Sequence, residues 1–472
     1  MTPSTPSTPA GASPPEASPP DDARPRGRGI RWVRRSEALA IGGIAVAILL
    51  MVLAHVLPKE LDWTVRSRNY PPLHATWMPR TGPGTPFAIA TALLLLVVGE
   101  RVARTWPWRR LLVASAVAAF AWMLCLALVD GWAGIADVLE SDIEYLQTAR
   151  QVDDVGATLR EFVSRIPAGS EGQWPVHVAG HPPGALLTFV LLVRLGLGTG
   201  GAAGIVVMVL AASIPVAVML TLRILGAERY ARLAAPFLVA GPAAIWMAVS
   251  GDALFAAVAA WATCLLAAAA TARRWWAGAA LGVASGLLYG WCVFLSYGLL
   301  LLGVLAVGVL VAARAWRPLP WAVGGALVVV AAFAVGGFAW WEAYPVLVER
   351  YYAGIASERP YSYWVWANLA VLGFSAGPAA GAAVALAASR LRAIRDGGAL
   401  GVLVVLAIAG IAMVLVADVS GMSKAEVERI WLPFVPWVLL GTALLPRWLR
   451  LPTFAVQLGT ALLMQHIVFS QW

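Results

Sequence analysis

The chain has 472 residues, of which 60% are hydrophobic and only 12% charged, and its mean hydropathy is +0.77; a soluble domain is nearer a quarter charged, so a soluble globular protein is excluded. The formal net charge of +9 is not a nucleic-acid footprint, because the bases fall in short tracts between apolar blocks, as in the cytoplasmic loops of membrane proteins. Cys125, Cys264 and Cys292 each lie inside an apolar block, which excludes a disulfide framework or a cysteine metal site and leaves three small core residues.

Residues 1–36 begin with a Pro-, Ser- and Thr-rich stretch that has almost no large apolar side chain and cannot bury enough surface to fold. Arg24, Arg26, Arg28, Arg31, Arg34 and Arg35 follow and hold this disordered tail in the cytoplasm. Residues 37–472 are then one transmembrane domain. Its first block, Ala38–Leu57, is closed by no small-x-small cleavage site and reads as an uncleaved anchor. Ala38–Leu57, Arg110–Val129, Gly201–Leu222, Asp252–Ala270, Trp321–Trp340, Leu400–Ala417 and Pro452–Val468 are each about long enough to cross a hydrocarbon core of about 30 Å as a helix. In lipid the backbone must bond to itself, so these blocks are helices, and the predicted fold is an all-α, polytopic membrane protein.

Orientation follows from the basic tracts. From the N-terminus, residues 58–83 lie outside, a span near Pro86–Gly99 returns, Glu100–Arg110 is inside, and the next span leads out again. From the other end, Arg273/Arg274, Arg314/Arg317, Arg390/Arg392/Arg395 and Arg447/Arg450 belong in the cytoplasm. That places Ser250–Asp252, Glu342–Tyr361, Asp418–Arg429 and the C-terminal Trp472 outside. The two walks differ by one crossing between Gly184 and Asp252, where the block Ala185–Leu197 is short and carries Arg194. Termini on opposite sides need an odd number of crossings, and about 13 transmembrane helices (range about 12–14) are expected at one per apolar block.

The segment Asp130–Gly184, with the outer loop at 130–182, is the acidic part of the chain. It holds Asp130, Asp137, Glu140, Asp142, Glu144, Asp153, Asp154, Glu161 and Glu171 against Arg150, Arg160 and Arg165. Leu139, Ile143 and Leu146 recur at helical spacing, as do Val155, Leu159, Phe162 and Ile166. Both helices are too short to span and suit the membrane surface. On the first, Asp142, Tyr145 and Ala149 share a face, with Glu140 and Glu144 flanking. Carboxylates gathered at a lipid–water boundary repel one another and are partly desolvated, which prepares one as a general base; the same pattern also suits a solvated acidic face. Pro182 and Pro183 then set a turn and a helix start, holding His181 at the mouth of a span.

In this order, Asp142, Tyr145, Ala149, His181, Pro182 and Pro183, with Asp252 at a later outer helix start and Glu426, Glu428, Arg429, Pro433 and Pro436 near the end, the chain resembles the C-type (GT-C) membrane glycosyltransferases. These include protein O-mannosyltransferases, aminoarabinose transferases, and actinobacterial mannosyl- and arabinosyltransferases. The resemblance runs over most of residues 37–470 as scattered short motifs. It departs from the family pattern in that the acidic loop follows the third span, not the first, which leaves Asp142, Glu140 and Asp137 all open as the equivalent acid.

The resemblance implies a polyprenyl-phosphate-sugar donor and a glycan, lipid or protein acceptor on the outer face of the cytoplasmic membrane. Asp142 would deprotonate the acceptor hydroxyl, and Arg429 would neutralise the departing phosphate, with Lys424 and Arg359 as lesser candidates. Tyr145, His181 and Glu426 would bind substrate. Asp252 would hold a divalent cation or orient the site, and no organic cofactor is implied. Plainer roles exist for Arg429, as a snorkelling boundary residue, and for Asp252, as a helix cap. The aromatic-rich outer segment Trp340–Trp366 suits sugar stacking or an interfacial belt. Two other classes compete: a transporter or lipid flippase, and a non-enzymatic assembly protein of the cell envelope. The transferase reading requires Asp142, His181, Asp252 and Arg429 to meet in one outer cavity.

Overall fold

The structure, a computed structural model, describes residues 1–2 and 26–470, and of residues 26–33 only the backbone. The expected disorder of the N-terminal tail lies largely outside the described residues. The first helix, Arg26–Glu60, starts ahead of the apolar block and takes in residues 26–36. Arginine is a good helix former, and extending an existing helix is cheap once it is nucleated.

The fold is all-α: among the described residues the regular structure is helical apart from one pair of three-residue strands. Seven helices are long and apolar enough to cross a membrane among those residues: Arg34–Glu60, Thr85–Thr105, Trp108–Asp130, Gly200–Ile224, Gly251–Thr271, Trp275–Leu295 and Gly398–Val419. Two bent pairs raise the number to nine, Leu319–Val335 with Trp340–Ala353 at 75° and Tyr361–Ser375 with Ala379–Ala388 at 111°. Their outer faces leave Phe87, Val97, Val117, Leu327 and Val335 exposed, a surface suited to lipid rather than water.

Seven to nine full-length spans replace the expected thirteen or so, because several apolar blocks do not become full-length helices. The block Ala185–Leu197 yields Pro183–Arg194, about 18 Å long at 1.5 Å per residue. The block Leu233–Val249 is divided at residues 240–243 into Glu228–Val239 and Ala244–Met247. The block Pro452–Val468 sits in Arg447–Ile467, which is long enough but carries Arg447, Arg450, Gln457, Gln465 and His466. An apolar run shows that a segment avoids water; it does not show that one helix runs through it.

The breaks are chemically supported. At the 111° bend, Gly377 has φ +81° and Pro378 has no amide hydrogen. Two backbone groups freed there are taken by one fully buried side chain: Gln457 Nε2 donates to the Ala376 carbonyl (2.7 Å) and Gln457 Oε1 accepts from the Ala379 amide (3.1 Å). Just beyond the bend, Ala379–Ala388 crosses the first helix at a glycine pair. A Cβ on Gly43 would stand 2.3 Å from the Gly381 carbonyl oxygen, so only glycine permits this approach.

The loops expected on one side do gather at one end. Residues Ala75–Trp77 pair antiparallel with Val468–Ser470. Arg350 donates to the carbonyls of Ile166 and Trp174, and Arg359 donates to that of Lys424 (2.6 Å). The basic tracts meet at the other end, where Arg104 and Arg450 both approach Glu100 and Arg232 pairs with Glu228. The first helix joins the two: Glu37 accepts from Trp448 at the basic end, and the Ala54 carbonyl accepts from Tyr363 toward the other.

Replacing Gln457 with leucine orphans two buried backbone groups, each of which costs about 1–3 kcal/mol. Gln457→Leu is therefore expected to lower the thermal unfolding midpoint in detergent by several degrees. Thr460→Ala, at a half-buried position on the same helix whose hydroxyl bonds only the Val456 carbonyl one turn back, is expected to leave it nearly unchanged.

Candidate functional site

The acidic segment folds as short helices joined by turns: Ala133–Ala136, Tyr145–Ala149, Val155–Glu161 and Val176–Gly180, with the 3-10 turn Val138–Glu140 between the first two. The helix expected from Leu139 is not continuous. It is interrupted after Glu140, where Ser141 takes ψ 142° and Glu144 is extended, and it restarts at Tyr145. Serine and aspartate side chains compete for backbone groups and favour such turns. As a result Asp142 does not share a face with Tyr145 and Ala149. Asp142 is exposed and has no ion-pair partner among the described residues, whereas Tyr145 and Ala149 are buried.

The other two acids proposed as the base also stand apart. Glu140 is bound by Arg150 (2.8 and 2.5 Å) and accepts from the Gly200 amide (2.8 Å). It thereby fastens the loop to the start of the helix Gly200–Ala212, and the Arg150 hydrogen bonds hold its carboxyl below the usual range. Asp137 is exposed at the turn before Val138–Glu140.

The acid that turns inward is Glu144, 4% exposed. It meets three distant segments at the guanidinium of Arg429. Arg429 Nη1 donates to Asp252 Oδ2 (2.7 Å), and Nη2 reaches His177 Nε2 (2.9 Å) and Glu426 Oε2 (3.3 Å). A guanidinium only donates, so His177 Nε2 is the acceptor and Nδ1 carries the ring proton. That proton is directed at Glu144 Oε1, 2.7 Å away. Helix starts supply much of this placement. Ser250 caps the helix Gly251–Thr271 and accepts from the Ala253 amide, which leaves Asp252 in the first turn free to face Arg429.

Around this core lie the remaining expected residues. Tyr145 stacks on Phe189 with centroids 5.1 Å apart and 4° between planes, and it meets His181 edge-on at 5.8 Å. His181 Nδ1 is 2.8 Å from the His177 carbonyl. Burial holds the His181 imidazole below its ordinary pKa, with Asp252 opposing. Glu426 bridges Arg429 and Arg359, whose Nη2 lies 3.4 Å from Glu426 Oε1. Lys424 donates to the Ala356 carbonyl (3.0 Å) and lies 5.1 Å from the Tyr352 ring. Seven of the ten expected site residues thus share one neighbourhood: Tyr145, His181, Asp252, Arg359, Lys424, Glu426 and Arg429. Asp142, Glu140 and Asp137 remain outside it.

The charges hold one another. Burial by itself pulls the Arg429 guanidinium down, but Asp252, Glu426 and Glu144 outweigh it and keep it charged. Burial pushes Glu426 up, but Arg429 and Arg359 outweigh it and hold its carboxyl below the usual range. The backbone that delivers Glu426 is strained: Ala425 and Glu426 have φ of +71° and +62°. Left-handed backbone costs a non-glycine residue roughly 1–2 kcal/mol, and such strain concentrates at functional sites.

Asp252, the residue expected to hold a divalent cation or orient the site, is engaged by Arg429. Among the described residues no three His, Cys, Asp or Glu side chains converge as metal ligands, and Asp252 faces a guanidinium whose charge opposes a dication. Two residues at the centre had only weak signals in the sequence. Glu144 stands beside Tyr145 and figured only as a flank of Asp142, and His177 lies four residues before His181 without the Pro-Pro pair that follows His181. No family model, curated protein or solved structure matches the chain.

Removing Arg429 leaves two buried carboxylates without their counter-charge, at a cost of about 3–5 kcal/mol. Arg429→Met is expected to show this as a large fall in unfolding midpoint. Glu426 has a folded pKa below its unfolded one, so its contribution is present above the ordinary value of about 4.5 and is lost as pH falls through the folded value. Unfolding midpoints followed from pH 7 to pH 3 should fall more steeply in the wild type than in Glu426→Gln.

Proposed function

We propose that the chain is a membrane glycosyltransferase that moves a sugar from a polyprenyl-phosphate donor to an acceptor hydroxyl, with Glu144 as the general base. One observation carries this assignment. Glu144 Oε1 accepts from His177, while Oε2 is buried and has no hydrogen-bond partner among the described residues. A carboxylate oriented through one oxygen and unpartnered at the other suits the abstraction of a hydroxyl proton.

In this reading Glu144 Oε2 takes the proton of the acceptor hydroxyl, and the hydroxyl oxygen forms a bond to the anomeric carbon. The bond from that carbon to the phosphate oxygen breaks, and its electron pair leaves with the polyprenyl phosphate. The anomeric centre inverts. His177 orients Glu144 and links it to Arg429. Arg429 exchanges part of its carboxylate contact for the departing phosphate, to which a guanidinium offers two parallel donors; Arg359 and Lys424 add charge nearby. Tyr145 and His181 line the acceptor side.

The same reading assigns the chain a GT-C-like architecture with its acid-rich end on the outer face of the cytoplasmic membrane. The shorter apolar helices Pro183–Arg194, Tyr297–Ala313 and Val435–Leu444 would then add crossings to the nine full-length or bent ones. A second reading, a transporter, is favoured by the helix broken at residues 376–378 and served by Gln457, since transporters bind cargo at discontinuous helices.

The test is transfer of radiolabel from polyprenyl-phosphate hexoses and pentoses in membranes containing each variant. Glu144→Gln should lose at least about 100-fold in rate, the lower end of what a positioned base contributes, while keeping its unfolding midpoint. Asp142→Asn should retain transfer. Full activity in Glu144→Gln removes that residue from the mechanism; loss in Asp142→Asn with retention in Glu144→Gln restores Asp142 as the base. Label that crosses the membrane without being transferred, in a manner abolished by Gln457→Leu, supports the transporter.

A further inference from the structure

The basic end of the molecule, opposite the candidate site, carries a second cavity. Arg104, Glu228, Arg229, Arg232, Leu233 and Arg450 line a chamber of about 410 Å³. Beside it runs a narrow groove of about 20 Å³, whose apolar wall is Leu96, Pro236, Phe237, Leu451 and Phe454. The two are continuous, because Arg104, Arg232, Leu233 and Arg450 belong to both.

The chamber is positively charged and largely preformed. Four arginines face two acids, Glu100 and Glu228. Arg232 Nη1 donates to the carbonyls of Ala103 and Trp106 at 3.0 Å each, and Arg450 Nε donates to that of Leu445 at 3.1 Å. Arg104 is held by Glu100 at 3.2 Å. These guanidinium groups are fixed by backbone and acid, so little freedom is lost when they take a ligand. Arg229 is exposed and makes no ion pair or hydrogen bond among the described residues, which leaves its guanidinium available.

The geometry points to a binding site for an anionic membrane lipid, with the phosphate of its head group in the arginine chamber and the start of a tail lying along the apolar wall outside the narrow groove. A free anion needs only the chamber. The apolar wall adds a path that leaves the same arginines and runs along Thr85–Thr105, whose other flank exposes Leu93, Leu94 and Val97. Basic pockets between membrane helices, at the side rich in Lys and Arg, suit such head groups, and each arginine near the lipid phosphate is worth about 1 kcal/mol.

The full chain, purified in neutral detergent, provides the test. Thermal unfolding and native mass spectrometry are followed with added phosphatidylglycerol, phosphatidylcholine or inorganic phosphate. Phosphatidylglycerol should raise the unfolding midpoint and remain bound, at an affinity at least about tenfold above that of phosphatidylcholine. Inorganic phosphate at equal concentration should do neither. Arg229→Gln should weaken phosphatidylglycerol binding about fivefold, the equivalent of about 1 kcal/mol. Adding Arg450→Gln should weaken it further; the single variant alone decides if the double one does not fold. Equal binding of both lipids overturns the proposal, as does unchanged binding in Arg229→Gln. Stabilisation by inorganic phosphate alone overturns the lipid and leaves an anion site.

Discussion

A guanidinium taken out of water holds the acid-rich end together. Arg429 is 5% exposed and contacts Asp252, His177 and Glu426, and through His177 it reaches Glu144. Each buried carboxylate is tolerable because the arginine is there, and the arginine keeps its charge because the carboxylates are there. The partners come from four separate stretches of chain. Membrane helices of fixed length deliver their ends to one level, so loops far apart in sequence become neighbours without long connections.

The broad plan was legible because it rests on transfer free energy. Long apolar blocks have to leave water, and basic tracts have to stay on one side of them. That reasoning placed the loops at residues 58–83, 130–182, 342–361 and 418–429, and the start of the helix that carries Asp252, at a common end; the resemblance then joined Asp252 and Arg429 to the acidic loop. The number of spans was not legible to the same degree. The bend at residues 376–378 and the division at 240–243 depend on where a proline falls and on whether a side chain such as Gln457 accepts the freed backbone groups. That acceptor lies 81 residues beyond Ala376.

The inward-facing acid was missed for a related reason. Helical spacing from Leu139 put Asp142 on the face of Tyr145, and that inference assumed one helix. The turn after Glu140 removes the assumption, and the inward position passes to Glu144. Glu144 is turned inward by His177, 33 residues later, and by an arginine later still. Local periodicity carries no information about either partner. By contrast, Glu426 and Arg429 were picked out together because both fall in one short motif of the resemblance, and the structure places both at one short helix.

The sequence distances within the cluster bear on how the protein is made. Asp252 precedes Arg429 by 177 residues, and His177 precedes it by 252. At a synthesis rate of roughly 5–20 residues per second, the aspartate waits on the order of 10–35 s for its counter-charge. During that interval its helix, Gly251–Thr271, has a carboxylate in its first turn with the compensating cation not yet synthesised. A bare buried carboxylate is costly, so the packing of this helix start is expected to follow synthesis of Arg429. Completion of this cluster therefore waits on synthesis through residue 429, and a chain truncated upstream of that point lacks the counter-charge of Asp252.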